Sequence, residues 1–130
     1  MTTLIHLAVL IAFGALTLIG NPIVRRLLSR IDTRPTPTGP LLMVEKELPG
    51  GRWIGALERI GIYASIVAGF PAGIGLVLAV KGLGRYPELR NRDNPRIGEL
   101  FIIGTLASAL VAAACAGLGI GVSALLVALL

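Results

Sequence analysis

Eight polar or charged side chains lie inside or at the edges of two long apolar stretches, and their types are suited to chemistry in a membrane. They are Glu58, Arg59, Lys81, Arg85, Glu88, Glu99, Thr105 and Ser108. Ionisable groups near hydrocarbon are costly unless paired, so they mark ion pairs, proton sites or ion sites. We expect Lys81 or Arg85 to pair with Glu99 across a helical hairpin, as a structural clamp.

The residue types do not indicate a catalytic or metal site. The chain has one histidine, His6, and one cysteine, Cys115. An intramolecular disulfide is therefore excluded, and a Cys/His metal site is not indicated. No combination of nucleophile, base and orienting acid is visible either. We predict no enzymatic activity, no cofactor and no metal.

The composition is that of an integral membrane protein. Hydrophobic residues make up 55% of the 130 positions, charged residues only 15%, and the mean hydropathy is +0.84. No charged residue lies between Arg59 and Lys81 or after Glu99, and about 20 apolar residues are enough to cross a bilayer as a helix. Open strand edges are not tolerated in lipid, and these runs lack the alternation of barrel strands. The sequence predicts an all-α integral membrane protein with three transmembrane helices.

The basic residues are confined to the polar loops, where arginine suits lipid headgroups and topology signals. The net charge of +5 therefore indicates headgroup contacts of the lipid bilayer rather than a nucleic-acid partner. We place the protein in the cell inner (plasma) membrane, as a multi-pass protein.

The predicted elements form a single membrane domain, residues 1–130. In chain order they are a first helix over about 4–24, a proline-rich loop over 32–50, a second helix over about 53–80, a basic loop over 82–96, a third helix over about 97–121, and an apolar tail over 122–130. Asn21 and Pro22 are expected to kink or end the first helix, and Pro71 to kink the second. Trp53 and Tyr86 are expected to anchor the second helix at its two membrane boundaries.

Small residues recur at intervals of four in the second and third helices. The second helix carries Gly61, Ser65, Gly69 and Gly73; the third carries one ridge of Thr105, Ala109, Ala113, Gly117 and Gly121 and a neighbouring ridge of Gly104, Ser108, Ala112 and Ala116. Ridges of small residues let helices approach closely. We therefore expect the second and third helices to pack as an antiparallel hairpin.

The third helix is long for a single span. Some 34 residues to the end of the chain would reach about 51 Å as one helix, against roughly 30 Å of hydrocarbon. The excess predicts a tilt, or a break near Gly117–Gly121.

The loop charges leave the orientation open. With three spans, one loop holds Arg25, Arg26, Arg30, Arg34, Lys46 and Arg52, and the other holds Lys81, Arg85, Arg90, Arg92 and Arg96. Six against five is nearly a tie under the positive-inside rule.

Three sequence blocks resemble a known family. They are Gly51–Arg59, which fits G-x-x-I-G-x-L-E-R; Lys81–Leu89, which fits K-x-x-x-R-[FY]-x-E-L; and Glu99–Ser108, which fits E-x-[FY]-x-I-G-T-L-x-S. Together they resemble the C-terminal part of a bacterial multi-pass membrane protein family of unknown function. The resemblance covers roughly the second half of the chain, implies a bacterial membrane origin and carries no activity.

Three functions remain open from the sequence. The first is a helix-packing module that forms a homo-oligomer or an accessory subunit of a membrane complex. The second is a small ion- or proton-coupled transporter or channel, with Glu58 or Glu99 as the ion or proton site and a carbonyl freed at Pro71. A lipid-facing enzyme ranks last.

Overall fold

The computed structural model describes residues 2–31, 51–86, 90 and 95–129, and these residues are helical with short turns and no strand. The helices are α1 (Thr2–Ile19), α2 (Asn21–Ile31), α3 (Gly51–Val67), α4 (Ala72–Gly84) and α5 (Pro95–Ala128). The all-α prediction is confirmed for this part of the chain. The proline-rich loop over 32–50, Glu88 and much of the basic loop lie outside the described residues.

α1 and α2 follow each other almost without interruption. The break falls at Gly20, one residue before the Asn21–Pro22 pair at which the sequence predicts a kink. The helix resumes at once, because the amide of Val24 donates to the carbonyl of Gly20 at 3.3 Å. α2 therefore extends α1 and carries three exposed basic side chains, Arg25, Arg26 and Arg30.

The segment predicted as one helix over 53–80 is two helices, and that prediction is wrong. Gly69 has φ +68°, and the amide of Phe70 donates back to the carbonyl of Ser65 at 2.8 Å. A left-handed glycine followed by a hydrogen bond of this kind is a Schellman motif, which ends a helix. Pro71 follows Phe70 and is the residue directly before α4, a place that suits it because its fixed φ is compatible with the start of a helix. The chain is reversed here rather than kinked.

The small-residue ridge of this segment packs the hairpin of α3 and α4 against itself. A Cβ added to Gly61 would lie 2.9 Å from Val77, and one added to Gly73 would collide with the hydroxyl of Ser65. Because these pairs step in opposite directions along the chain, α3 and α4 are antiparallel. Three members of the predicted ridge thus face a helix inside the same segment, while Gly69 makes the turn.

α5 is the long helix along which α1, α2 and α3 pack. It is unbroken through Gly117–Gly121, so the expected break is absent. Gly119 lies against Phe13 and Gly20 against Val111, which makes α1 antiparallel to α5. Arg59 of α3 contacts Ser108 of α5, and Tyr63 of α3 lies against Gly119 of α5. These contacts advance in the same direction on both helices, so α3 and α5 are parallel. The antiparallel hairpin is formed by α3 and α4 instead of α3 and α5.

The buried stripe of small residues on α5 consists of Ser108, Ala112, Ala116, Gly119 and Ser123. It follows the second of the two predicted ridges through Ser108, Ala112 and Ala116 and then departs from it. Ala109 and Ala113 are half-buried, and Gly117 and Gly121 are exposed. A step of four exceeds the 3.6-residue turn by about 40°, so a strict interval of four winds away from one face. The step of three from Ala116 to Gly119 keeps the packed stripe in line.

Two helical stretches are long and apolar enough to cross a membrane, namely Thr2–Ile31 and Gly98–Ala128. This supports a membrane location. α4 is apolar but has only 13 residues, about 20 Å at the helical rise, which is too short to cross. Reversal at Gly69 therefore leaves the three-span count without support.

Candidate functional site at the base of the hairpin

Glu58 of α3 and Lys81 of α4 form an ion pair between the two arms of the hairpin, where Lys81 Nζ donates to Glu58 Oε2. A single straight helix would hold these residues roughly 35 Å apart. The turn around Gly69 brings them together because it folds α4 back along α3. The side chains are 3% exposed at Glu58 and 17% at Lys81, so the pair is largely shielded from solvent.

α5 contributes the rest of the site. The guanidinium of Arg59 donates from Nη1 to Ser108 Oγ at 3.4 Å, and the ammonium of Lys81 lies 5.4 Å from the centroid of the Phe101 ring. A cation over an aromatic face is stabilised, more so when it is desolvated. The α5 residues involved are seven apart, which places them on one side of that helix.

Burial makes the polar groups of this site unusual. Counted over the whole residue, Glu58 and Arg59 are each 4% exposed. Glutamate and arginine are almost never fully buried unless they are paired. Two oxygens at the site are buried without a hydrogen-bond partner in the described structure, Glu58 Oε1 and the hydroxyl oxygen of Thr105. The site therefore holds one closed ion pair and two oxygens able to accept a further hydrogen bond.

This arrangement can serve two kinds of chemistry. As a structural element, the ion pair closes the open end of the hairpin, while the Arg59–Ser108 bond joins α3 to α5. As a functional element, a buried carboxylate can hold a proton or a small ligand. Across the described residues, no group of three or more His, Cys, Asp or Glu side chains is placed to hold a metal ion.

The remaining predicted site residues are Glu99, Arg85 and Glu88. Glu99 is exposed, so the expected clamp between Lys81 and Glu99 is replaced by the pair with Glu58. The alternative donor, Arg85, is half-buried just beyond α4. Glu88 falls outside the described residues. Because Lys81 pairs with Glu58, the neighbour of Arg59, Lys81 and Arg59 lie at the same end of the hairpin and not at opposite ends of one span.

Tyr63 holds the site in place and is absent from the sequence-based prediction. The hydroxyl of Tyr63 donates to the carbonyl of Leu10 at 2.7 Å, and the same hydroxyl lies 3.2 Å from where a Cβ of Gly119 would be. Tyr63 thus fixes α3 against α1 and α5 one turn above Arg59. The sequence does indicate this role, because Tyr63 is a single tyrosine in an apolar run and a buried tyrosine hydroxyl needs a hydrogen-bond partner.

Trp53 and Tyr86 lie at the same end of the hairpin. Each is five residues outside the ion pair, Trp53 before Glu58 and Tyr86 after Lys81, and both are strongly exposed. The antiparallel course of α3 and α4 therefore gathers both aromatic residues beyond the charges. Their predicted places at two opposite boundaries do not agree with this geometry.

Comparisons of the chain with protein-family models, with curated proteins and with solved structures find no match. The site is therefore interpreted from its own geometry.

Proposed function

We propose that this protein is an integral membrane helix-packing module that assembles with other membrane helices, as a homo-oligomer or as an accessory subunit. The observation that carries the proposal is the use of its buried polar groups. Three polar contacts join pairs of helices: Glu58 with Lys81, Arg59 with Ser108, and Tyr63 with Leu10. The chemistry-bearing side chains are thus engaged in holding helices together.

The membrane arrangement supported by this fold has two spans and a re-entrant hairpin. α1 and then α5 cross in opposite directions, while α3 and α4 enter and leave on one side. From Trp53 to Gly69 the hairpin rises about 24 Å, which is less than the roughly 30 Å of hydrocarbon. Aromatic residues favour headgroup level, so Trp53 and Tyr86 support a base that lies at one interface.

The re-entrant arrangement resolves the near-tie in the loop charges. All 12 lysine and arginine residues lie between Arg25 and Arg96. In a two-span chain with a re-entrant hairpin, this entire stretch belongs to one side of the membrane. The positive-inside rule then assigns that side to the cytoplasm, with the start of α1 and the end of α5 on the opposite side of the inner (plasma) membrane.

The exposed arginines of α2 fit headgroup contacts in this arrangement. Arg25, Arg26 and Arg30 face outward, and so do the apolar Ile23 and Leu27 on an adjoining face. A helix with basic and apolar outer faces suits the boundary between headgroups and acyl chains. We propose that α2 rests there, against the anionic lipids of the cytoplasmic leaflet.

Assembly would use the outward face of α5. Inward glycines such as Gly104 and Gly119 lie against Leu28 and Phe13, whereas Gly117 and Gly121 have open space where a Cβ would be. Two open glycines four residues apart permit close approach of another helix, which in lipid is favoured by packing.

The test is assembly of the full chain in detergent and in lipid vesicles. The double variant Gly117→Leu/Gly121→Leu should lose self-association or the co-purifying partner, measured by light scattering after size-exclusion chromatography. Gly75→Leu is the matched control, because Gly75 is also open but lies on α4. If the double variant assembles as the wild type does, the packing proposal fails.

A second candidate function is ion- or proton-coupled transport, favoured by the burial of Glu58. In a transporter, the buried Glu58 would be the ion or proton site, and the exposed Glu99 would not. Proteoliposomes should then show flux that Glu58→Gln abolishes while Glu99→Gln does not, with assembly intact in both. Absence of flux under every ion gradient removes this candidate.

A further inference from the structure

The hairpin base contains two buried oxygens, one on α3 and one on α5. Glu58 Oε2 accepts from Lys81, while the second oxygen of the same carboxylate, Oε1, has no hydrogen-bond partner in the described structure. The hydroxyl of Thr105 on α5 is also buried without a partner there. Buried polar atoms are nearly always satisfied by protein or by ordered water.

Thr105 lies on the face of α5 that meets the ion pair. Phe101, four residues before it, lies under the ammonium of Lys81, and Ser108, three residues after it, accepts from Arg59. Residues at these spacings are neighbours on one helical face. The hydroxyl of Thr105 is therefore held between the two α5 residues that contact the hairpin charges.

We propose that Glu58 Oε1 and the Thr105 hydroxyl together bind one water molecule, which makes this a hydrated site within the apolar part of the fold. A carboxylate oxygen requires a donor, and a threonine hydroxyl can either donate or accept. Water offers both functions in one small molecule and commonly joins buried groups that cannot reach each other. This proposal is independent of the assembly that the proposed function describes.

A metal cation fits the site less well than water. Hard cations gather about six or more oxygens, whereas this site offers two unpartnered ones. The ammonium of Lys81 already lies against the carboxylate of Glu58, and its positive charge repels a second cation. The chemistry of the site therefore selects a neutral ligand with hydrogen-bond donors.

The test is water-edited solid-state NMR of the full chain with carbon-13-labelled glutamate, in phosphatidylethanolamine/phosphatidylglycerol vesicles. The Glu58 carboxyl signal, assigned by its loss in Glu58→Gln, should receive magnetisation from water in the wild type. Thr105→Val keeps the side-chain shape and removes the hydroxyl, so the transfer should be lost and the Tm lowered. Thr105→Ser should retain both.

Thr17→Val is the control, because Thr17 is buried in α1 and its hydroxyl donates to the carbonyl of Gly14. It should leave the Glu58 signal unchanged. Replacing sodium by a bulky organic cation should also leave it unchanged, and a change would indicate a bound metal cation and overturn the proposal. A wild-type signal without water contact, or water contact that persists in Thr105→Val, overturns it as well. So does a Thr105→Val variant that is as stable as the wild type or more stable.

Discussion

Lys81 donates a hydrogen bond to Glu58 from the opposite arm of a hairpin, although the two residues are 23 positions apart in the chain. The contact is possible because the chain turns back at Gly69 and the two arms have nearly equal lengths between the turn and the charges. It places an acid and a base in mutual contact inside a largely apolar fold. Each charge thereby offsets part of the free-energy cost of burying the other.

Removing one member of this pair should destabilise the fold more than removing both. Lys81→Met leaves the carboxylate of Glu58 buried without its counter-ion, and breaking a buried pair in this way costs about 3–5 kcal/mol. The double variant Glu58→Met/Lys81→Met should be close to wild type, since well-packed apolar replacements of buried pairs are often neutral. Denaturant unfolding in detergent measures both.

Glu99→Gln is the control for this experiment. Glu99 is exposed, and surface changes away from buried features usually stay within about 0.5 kcal/mol. If Lys81→Met unfolds at the same denaturant concentration as Glu99→Gln, the pair does not hold the hairpin closed.

The turn residue Gly69 should not tolerate a side chain. Its φ of +68° costs an L-residue roughly 1–2 kcal/mol, so Gly69→Ala should lower the free energy of unfolding by that amount. Gly75→Ala is the matched change inside α4, where open space surrounds the glycine. Because alanine is the better helix former by up to about 1 kcal/mol, Gly75→Ala should be neutral or stabilising. If Gly69→Ala and Gly75→Ala change the free energy of unfolding equally, Gly69 does not adopt the left-handed conformation of the turn.

The close contact between the hairpin arms should appear as coupling between Gly73 and Ser65. In Gly73→Ala the new Cβ would collide with the hydroxyl of Ser65, which is itself held by a bond to the carbonyl of Gly61 at 2.7 Å. Overpacking of this kind costs about 1–3 kcal/mol. Combining Gly73→Ala with Ser65→Gly should recover part of that loss in thermal unfolding.

Gly82→Ala provides the comparison, because Gly82 has nothing within contact of an added Cβ. A double-mutant cycle reports only residues that interact. Simple additivity of Gly73→Ala and Ser65→Gly would mean that the arms do not approach as described.

The re-entrant arrangement predicts which positions react with a membrane-impermeant thiol reagent in intact cells. In a background with Cys115 replaced by alanine, Thr3→Cys and Leu129→Cys should be labelled from outside. Ser29→Cys and Tyr86→Cys should be labelled only after permeabilisation, because α2 and the hairpin base share the cytoplasmic side. A three-span chain would instead place positions 29 and 86 on opposite sides, and labelling of only one of them would support it.

Sequence patterns were sufficient for the helical class and for most members of the candidate site. Long runs without charge predict helices, and Glu58, Lys81, Thr105 and Ser108 stand out because polar groups are rare in such runs. The partners of these groups were not predictable in the same way. They depend on whether the segment from Gly51 to Gly84 is one helix or two, and hydropathy is the same in both cases.

The reversal does have a local signal in the sequence. Gly69 fits the interval-four ridge, which predicts a role in helix packing, and Pro71 inside a helix predicts a kink. A glycine with a proline two residues later is also the pattern of a helix that ends. In an apolar segment the two interpretations compete, and the backbone bond from Phe70 to Ser65 shows which one the chain adopts.

The uncharged turn at Gly69–Pro71 has a consequence for biogenesis under the proposed arrangement. A three-span chain would have to carry one of its arginine-rich loops through the bilayer, and every arginine resists that transfer. A hairpin that enters and leaves on one side carries no arginine-rich loop across the bilayer. Its tip is apolar, Glu58 and Lys81 nearer its base are paired with each other, and the amides of Phe70 and Gly73 are already bonded within the chain. Insertion of the region between α2 and α5 would therefore require no polar segment to be translocated.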